Sequence, residues 1–381
     1  MDHLYKRRLI LQIIVIGLLS CIFISLPAWF TTQRVIPSIP VISILSTLPT
    51  LVNNTITFVL ISSLIGTLFS SKYERVTLTT SLLALTTSCL FDQIRLQPWI
   101  FSYGFMLLAL VLYSHKRANN TFLLIRIILT LGYFWSGIQK LNLSFMEVTF
   151  PWMIEPLINL SPSLFGESTH WMAITAASVE AVFGLGLLIP KLRKTSVVIL
   201  SFMHLFILLM LGPFGLNYNE VIWPWNISYV LLLYILFWND KASSYKYSIA
   251  KFDKALLVAI VILFGLMPVF SFTGHWPKYF SSALYSGNKI KSSLYISDEL
   301  KNEWIESVDM VITPFENKIN LDSWALKELR LPPYPSVNYT TKLFYSLCKH
   351  SDNEADIILV IDHEPSITSN ERLTESFFCS D

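Results

Sequence analysis

Lys140 closes a run in which residues able to do chemistry share one side of a helix. Arg126, Thr130, Tyr133, Gly137 and Lys140 follow one another at spacings of four, three, four and three, the repeat of a single helical face. An amine lodged in apolar surroundings can act as a general base at neutral pH, and Lys140 is the candidate. A second reading stands beside it: a salt bridge from Lys140 to Glu147 or Glu155 in the segment that follows. Arg126, near the other end of the same stretch, has the reach to snorkel to lipid headgroups. Further along, Glu180 and His204 fall near the middle of two consecutive apolar stretches, where an ionisable group is costly and marks a site by default. Neighbouring antiparallel helices would bring these two together, either as a hydrogen bond fixing helix register or as a proton-handling pair. Ala173, Ala176, Ala177 and Gly184 recur around Glu180 at helical spacing, a small-residue face that permits close helix approach. Asp92 and Arg95 sit in a polar turn, and Glu220 precedes Trp223 and Trp225; a local Asp92–Arg95 pair is the plainer account of the first. Catalytic candidates are therefore Lys140 and His204. Ligand-binding candidates are Asp92, Arg95, Tyr133, Trp135, Glu180 and Glu220, with Tyr133, Trp135 and Trp152 offering ring surface. No spacing of metal ligands, glycine-rich phosphate loop or internal repeat is present, so no metal is expected.

The elements that must position these groups are dictated by composition. Among 381 residues there are only 28 Lys and Arg and 26 Asp and Glu, 53% are apolar, and mean hydropathy is +0.53. About a quarter of a soluble chain is charged, so an ordinary soluble enzyme is excluded and a multi-pass membrane protein is expected. Charge is unevenly placed. Residues 1–274 hold 18 basic and 10 acidic side chains, and residues 275–381 hold 10 and 16. This predicts a transmembrane domain over 1–274 and a small α+β extracytoplasmic domain over 275–381. The apolar runs predict an all-α bundle of about nine transmembrane helices, at roughly 9–30, 55–71, 76–92, 98–114, 121–141, 169–190, 195–212, 220–238 and 255–273. The first run lacks a small-residue cleavage pattern and reads as retained.

Basic residues orient the bundle, because short cytoplasmic loops collect them. With a cytoplasmic N-terminus, the inside segments hold Lys6, Arg7, Arg8, Lys72, Arg75, Lys116, Arg117, Lys191, Arg193, Lys194, Lys241, Lys246, Lys251 and Lys254. Before residue 275 the outside loops hold only Arg34 and Arg95, with Lys140 at an outer helix end. The expected location is the cell (inner) membrane with the C-terminus outside. Cys348 and Cys379 then lie where thiols oxidise and are candidates for one disulfide, while Cys21 and Cys89 pack as small hydrophobes. Met146 to Pro162, apolar but broken by Glu147, Pro151, Glu155 and Pro156, reads as a re-entrant or surface-lying cover over a cavity. In the outer part, Leu284 to Ile296 reads as extended, Glu299 to Met310 as helix, Leu331 to Pro335 as turn and Ile357 to Ile361 as strand.

The stretch Tyr133-Phe-Trp-Ser-Gly137-Ile-Gln-Lys140-Leu-Asn142, followed by Ser201-Phe-Met-His204, resembles the horizontally transferred transmembrane (HTTM) domain shared by vitamin K-dependent γ-carboxylase and its bacterial relatives. The Asp92 to Trp99 turn is similar to one in bacterial members and in the related DoxX-like membrane proteins. The likeness covers roughly residues 70 to 240. It implies that Lys140 occupies the position of the base that deprotonates reduced vitamin K, and that His204 is a second polar group in the quinone cavity. Oxygenated quinone would then generate the base that forms a carbanion on substrate glutamate, which takes up carbon dioxide. The chain departs from the carboxylase in having Gln139 where that enzyme has lysine, and in having 107 residues where it has a large lumenal region. The functional expectation is an outward-facing polar cavity near Lys140, Asp92, Arg95 and Glu220 that binds a quinone-like or other amphipathic lipid-soluble molecule, with redox or carboxylase-type chemistry, quinone or quinol being the implied cofactor. The alternative is a non-enzymatic anchor presenting residues 275–381 to an exported protein partner. A transporter using Glu180 and His204 is weakened by the lack of an inverted repeat. The expected surroundings are the lipid bilayer, with no nucleic acid.

Overall fold

A computed structural model gives the architecture for residues 2–31, 34–113, 117–165, 168–238, 251–304, 308, 311–313, 317–349 and 356–380, the residues described below. Lys116, Lys241 and Lys246 lie outside them, as does part of the helix expected over Glu299 to Met310. Nine principal helices precede the sheet: α1 (His3–Ile24), α2 (Thr50–Phe69), α3 (Glu74–Phe91), α4 (Pro98–Leu112), α5 (Ala118–Gln139), α6 (Thr169–Gly186), α7 (Arg193–Leu211), α8 (Ile222–Leu233) and α9 (Lys251–Val261). Wider π-type turns extend α8 over Tyr234–Trp238 and α9 over Ile262–Leu266, and a 3-10 turn carries α9 on to Thr273.

Each apolar run expected to be helical is helical, but nine independent spans are not supported. Among the described residues five helices are long and apolar enough to cross a membrane: His3–Ile24, Thr50–Phe69, Ala118–Gln139, Arg193–Leu211 and Lys254–Thr273. The reasons the others fall short are physical. The 15 residues of α4 span about 22 Å at the helical rise of about 1.5 Å per residue, against a hydrocarbon core of about 30 Å. In α3 the Thr and Ser hydroxyls dilute the apolar content, and in α6 small residues and Glu180 do the same.

One end of the bundle is tied by arginine. Arg7 donates to Glu74 at 2.6 Å and to the carbonyls of Leu110 and Tyr113, while Arg8 donates to the carbonyls of Thr67 and Leu68. The last carbonyls of α2 and α4, which have no partner within their own helices, are thereby satisfied from α1. Arg126 is also buried. Rather than snorkelling, it donates from Nε and Nη2 to the Leu236 carbonyl at 3.1 and 2.7 Å, inside the wide turn that ends α8.

At the other end sits a five-stranded antiparallel sheet of order β2-β3-β1-β4-β5, from β1 (Lys291–Ile296), β2 (Ile312–Thr313), β3 (Lys318–Asn320), β4 (Ile357–Asp362) and β5 (Thr374–Phe378). Leu294 lies opposite Leu359 on one side and Ile319 on the other. Helices α10 (Asp298–Glu303), α11 (Leu321–Leu329) and α12 (Val337–Cys348) complete this part. Trp324, Leu343, Phe344 and Leu347 are buried with Leu294, Ile357, Leu359 and Ile361 in one core. Burying each such side chain contributes about 1.5–3 kcal/mol. The Cys348–Cys379 disulfide forms, with a Cα separation of 5.6 Å, joining the end of α12 to the residue after β5. The stretch read as extended from Leu284 is strand only from Lys291. Tyr285 and Gly287 adopt left-handed φ of 56° and 75°, and at Gly287 a Cβ would lie 2.6 Å from the Phe145 backbone nitrogen.

The sheet part is docked on the bundle. Gln97 donates to the Pro332 carbonyl at 2.9 Å, a carboxylate oxygen of Glu328 accepts from the backbone nitrogens of Val35 and Ile36, and the Leu143 nitrogen donates to the Ile367 carbonyl at 3.0 Å.

Candidate functional site

Helices α5 and α6 approach closely because small residues meet. A Cβ on Gly137 would lie 2.5 Å from both the Ala177 carbonyl oxygen and the Ala181 nitrogen, and one on Gly184 would lie 2.7 Å from the Tyr133 Cβ. Ala173, Ala177, Glu180, Ala181 and Gly184 form the buried face of α6, whereas Ala176 is exposed. This contact sets Lys140, at the end of α5, against Glu180. The ammonium donates to Glu180 Oε2 at 2.5 Å and to Ser136 Oγ at 2.8 Å, with side-chain exposures of 12% for Lys140 and 7% for Glu180. Lys140 thus has neither of the carboxylates considered from sequence: Glu147 accepts from Asn370 at 2.6 Å, and Glu155 is exposed.

Glu180 does not pair with His204. The Tyr133 hydroxyl lies 2.5 Å from His204 Nε2, and His204 Nδ1 lies 2.6 Å from Asn226 Oδ1. The tautomer follows from Asn226. Its Nδ2 donates to the Ile222 carbonyl at 2.7 Å, so the amide oxygen faces the imidazole and accepts from Nδ1–H. In neutral His204, Nε2 is therefore the acceptor and Tyr133 the donor. Tyr229 stands edge-on to both rings, at 5.9 Å from Tyr133 and 5.6 Å from His204.

Tyr133, Lys140, Glu180, His204 and Asn226 all line one cavity of about 90 Å³, with Trp225, Tyr229 and Met203 on its walls. Met153, from the broken helical segment after α5, helps close it, and so do Ser282, Leu284 and Tyr285 from the stretch leading into β1. The segment from Phe145 to Phe165 is a series of short helical turns whose Phe145, Phe150, Met153 and Ile154 are buried, and of these Met153 reaches the cavity. Tyr285 is held by Asn219, whose Nδ2 donates to the phenol oxygen at 2.7 Å, and it lies against Trp152 and Tyr218. Burial raises the Tyr285 phenol well above its ordinary value; Tyr218 adds to the shift and the Asn219 hydrogen bond opposes it. Asn142 pins this cover to α5, donating from Nδ2 to the carbonyls of Gln139 and Ser286 at 2.8 Å and accepting from the Phe145 nitrogen at 2.9 Å.

Four residues expected at the site lie elsewhere. Asp92 pairs with Arg34 at 2.6 Å instead of with Arg95. Arg95 is fully buried and donates to the carbonyls of Ala28, Trp29 and Ser88 and to Asn53, acting as a clamp on the short turn after α1, on α2 and on α3. Trp135 faces α9, its indole nitrogen donating to the Gly265 carbonyl at 3.0 Å. Glu220 meets Arg330 of the sheet part at 3.5 Å. Asn226 and Tyr285, absent from the sequence expectation, belong to the site. Asn226 stands one helical turn after the Ile222 whose carbonyl fixes its amide, in the polar opening of α8, a signal the two tryptophans beside it masked.

No protein-family model, no curated protein sequence and no solved structure matches this chain. Among the described residues no group of three metal-ligating side chains converges.

Proposed function

We propose that the cavity between α5, α6, α7 and α8 binds the ring of a quinone-like, lipid-soluble molecule, and that its two polar pairs exchange protons with the ring oxygens. The observation that carries this reading is the convergence on one cavity of Lys140–Glu180 and Tyr133–His204–Asn226. Lys140 and Tyr133 are the donors and Glu180 and His204 the acceptors beside them; a proton handed to a ring oxygen leaves its pair one charge more negative, so that proton must be replaced before the pair is neutral again. Aromatic walls from Trp225 and Tyr229 supply flat apolar surface for a ring.

A cavity of about 90 Å³ holds a few water molecules and is below the roughly 300–1,000 Å³ of drug-sized pockets. Ring entry therefore requires Met153, Met203 or the Tyr285 segment to move. Methionine side chains rearrange readily, which favours the first two. The resemblance to the HTTM domain supports the same reading through the positions of Lys140 and His204, and carboxylase-type chemistry enters only through that resemblance.

The reading extends to topology. The arginine-tied end faces the cytoplasm and the sheet lies outside, in a compartment suited to the Cys348–Cys379 bond. Organic extraction of the purified chain followed by mass spectrometry tests the central point. A stoichiometric quinone or related lipid-soluble compound, lost in a Lys140→Met, Tyr133→Phe double variant, is expected. Equal content in both proteins sinks the assignment.

A further inference from the structure

A larger cavity, of about 590 Å³, lies apart from the Lys140 site, where the chain leaves α9 and meets the start of α12. We propose that it binds the phosphate of an anionic lipid headgroup. Several donors stand on its lining. Lys278 is 7% exposed, and among the described residues one acceptor, Glu364 Oε2 at 2.9 Å, stands against the three donor directions of its ammonium. The Trp276 indole nitrogen is buried without an acceptor. Ser336, Val337 and Asn338 bring the N-terminus of a 12-residue helix to the same cavity, and the Ser336 side chain makes no capping bond. The first N–H groups of a helix have no intrahelical partner and attract anions.

Glu364 does not defeat this arrangement. Its charge offsets that of Lys278, leaving the helix end, the indole N–H and the remaining ammonium donors for one further anion. The source is set by position. His275 stands two residues after Thr273, where α9 ends, and the closing turns of α9 carry Leu266, Val269 and Phe270 as exposed apolar side chains; acyl chains lying along that surface would put a headgroup at the mouth of the cavity.

Native mass spectrometry of the full chain in detergent, titrated with phosphatidylglycerol, phosphatidylcholine or inorganic phosphate, tests this. Two variants spare the fold. Trp276→Phe removes the donor and keeps the ring stacked on Phe280, and Asn338→Asp favours the helix end while repelling an anion. Phosphatidylglycerol should bind at least tenfold more tightly than phosphatidylcholine, with each variant weakening it at least tenfold at unchanged melting temperature. Unchanged phosphatidylglycerol affinity in both variants overturns the proposal. Binding of inorganic phosphate that both variants abolish, without any preference among lipids, overturns the lipid source and leaves a free anion as the ligand.

Discussion

At the scale of single residues, the two partners of the Lys140–Glu180 pair cannot be removed separately at low cost. Breaking a buried ion pair leaves an uncompensated charge and costs about 3–5 kcal/mol, whereas replacing both members is far milder. Lys140→Met and Glu180→Gln should each lower the unfolding midpoint in detergent by more than the double variant does; additive losses would show that the two do not depend on each other. Beyond the membrane-spanning helices, burial raises the phenols of Tyr279, Tyr285 and Tyr339. Each group holds its proton more strongly folded than unfolded, so the stability it confers is complete below the ordinary tyrosine value near 10 and falls as pH climbs past it. Tyrosinate absorbance should therefore appear together with unfolding in an alkaline titration, rather than ahead of it. Sequence spacing found Lys140, Tyr133, Glu180 and His204, because an ionisable side chain in an apolar run is conspicuous. It could not assign their partners. Pairing of Glu180 with Lys140 rather than with His204 depends on which residues of α6 face Gly137, a matter of rotation that composition does not encode.

Elements explain why that rotation is what it is. Gly137 and Gly184 are the two points where α5 and α6 touch backbone to backbone. A methyl group at Gly137 has no flexible side chain to push aside, and overpacking of this kind costs about 1–3 kcal/mol. Gly137→Ala should lower the melting temperature and weaken ligand binding together; a variant with wild-type stability would refute the close contact. The disulfide is the second element-level device. Cys348 and Cys379 enclose a loop with sequence separation of 31, and such a crosslink is worth about 2–4 kcal/mol. Reduction, or Cys379→Ser, should make the sheet part sensitive to protease while the long helices stay protected. Helix positions were legible from apolar runs, and β4 from its run of mostly β-branched residues. The helices α11 and α12 were not, because their apolar residues are interleaved with Lys, Asp, Asn and Thr in windows that read as turn or coil. Asp92 and Arg95 misled for a related reason. Charge in a turn signals either a site or a clamp, and only the carbonyls that Arg95 reaches show that it is a clamp.

Over the whole molecule, the change in charge density near Gly274 marks a real change in architecture, from helices to sheet. It does not mark two independent bodies. Tyr285, beyond that point in sequence, helps close a cavity built by α5 to α8, and Glu220 reaches forward to Arg330. Deleting residues 275–381 should therefore expose the Lys140 cavity and abolish ligand retention, even though every polar group of the two pairs lies before Gly274. The central claim, that this cavity takes a quinone-like ring, is tested most directly by titrating the purified chain with a soluble short-chain quinone while following tryptophan fluorescence, since Trp225 stands on the cavity wall. Saturable quenching is expected, with affinity falling at least tenfold in both Lys140→Met and Tyr133→Phe. Linear, non-saturating quenching, or the same affinity in all three proteins, would contradict it.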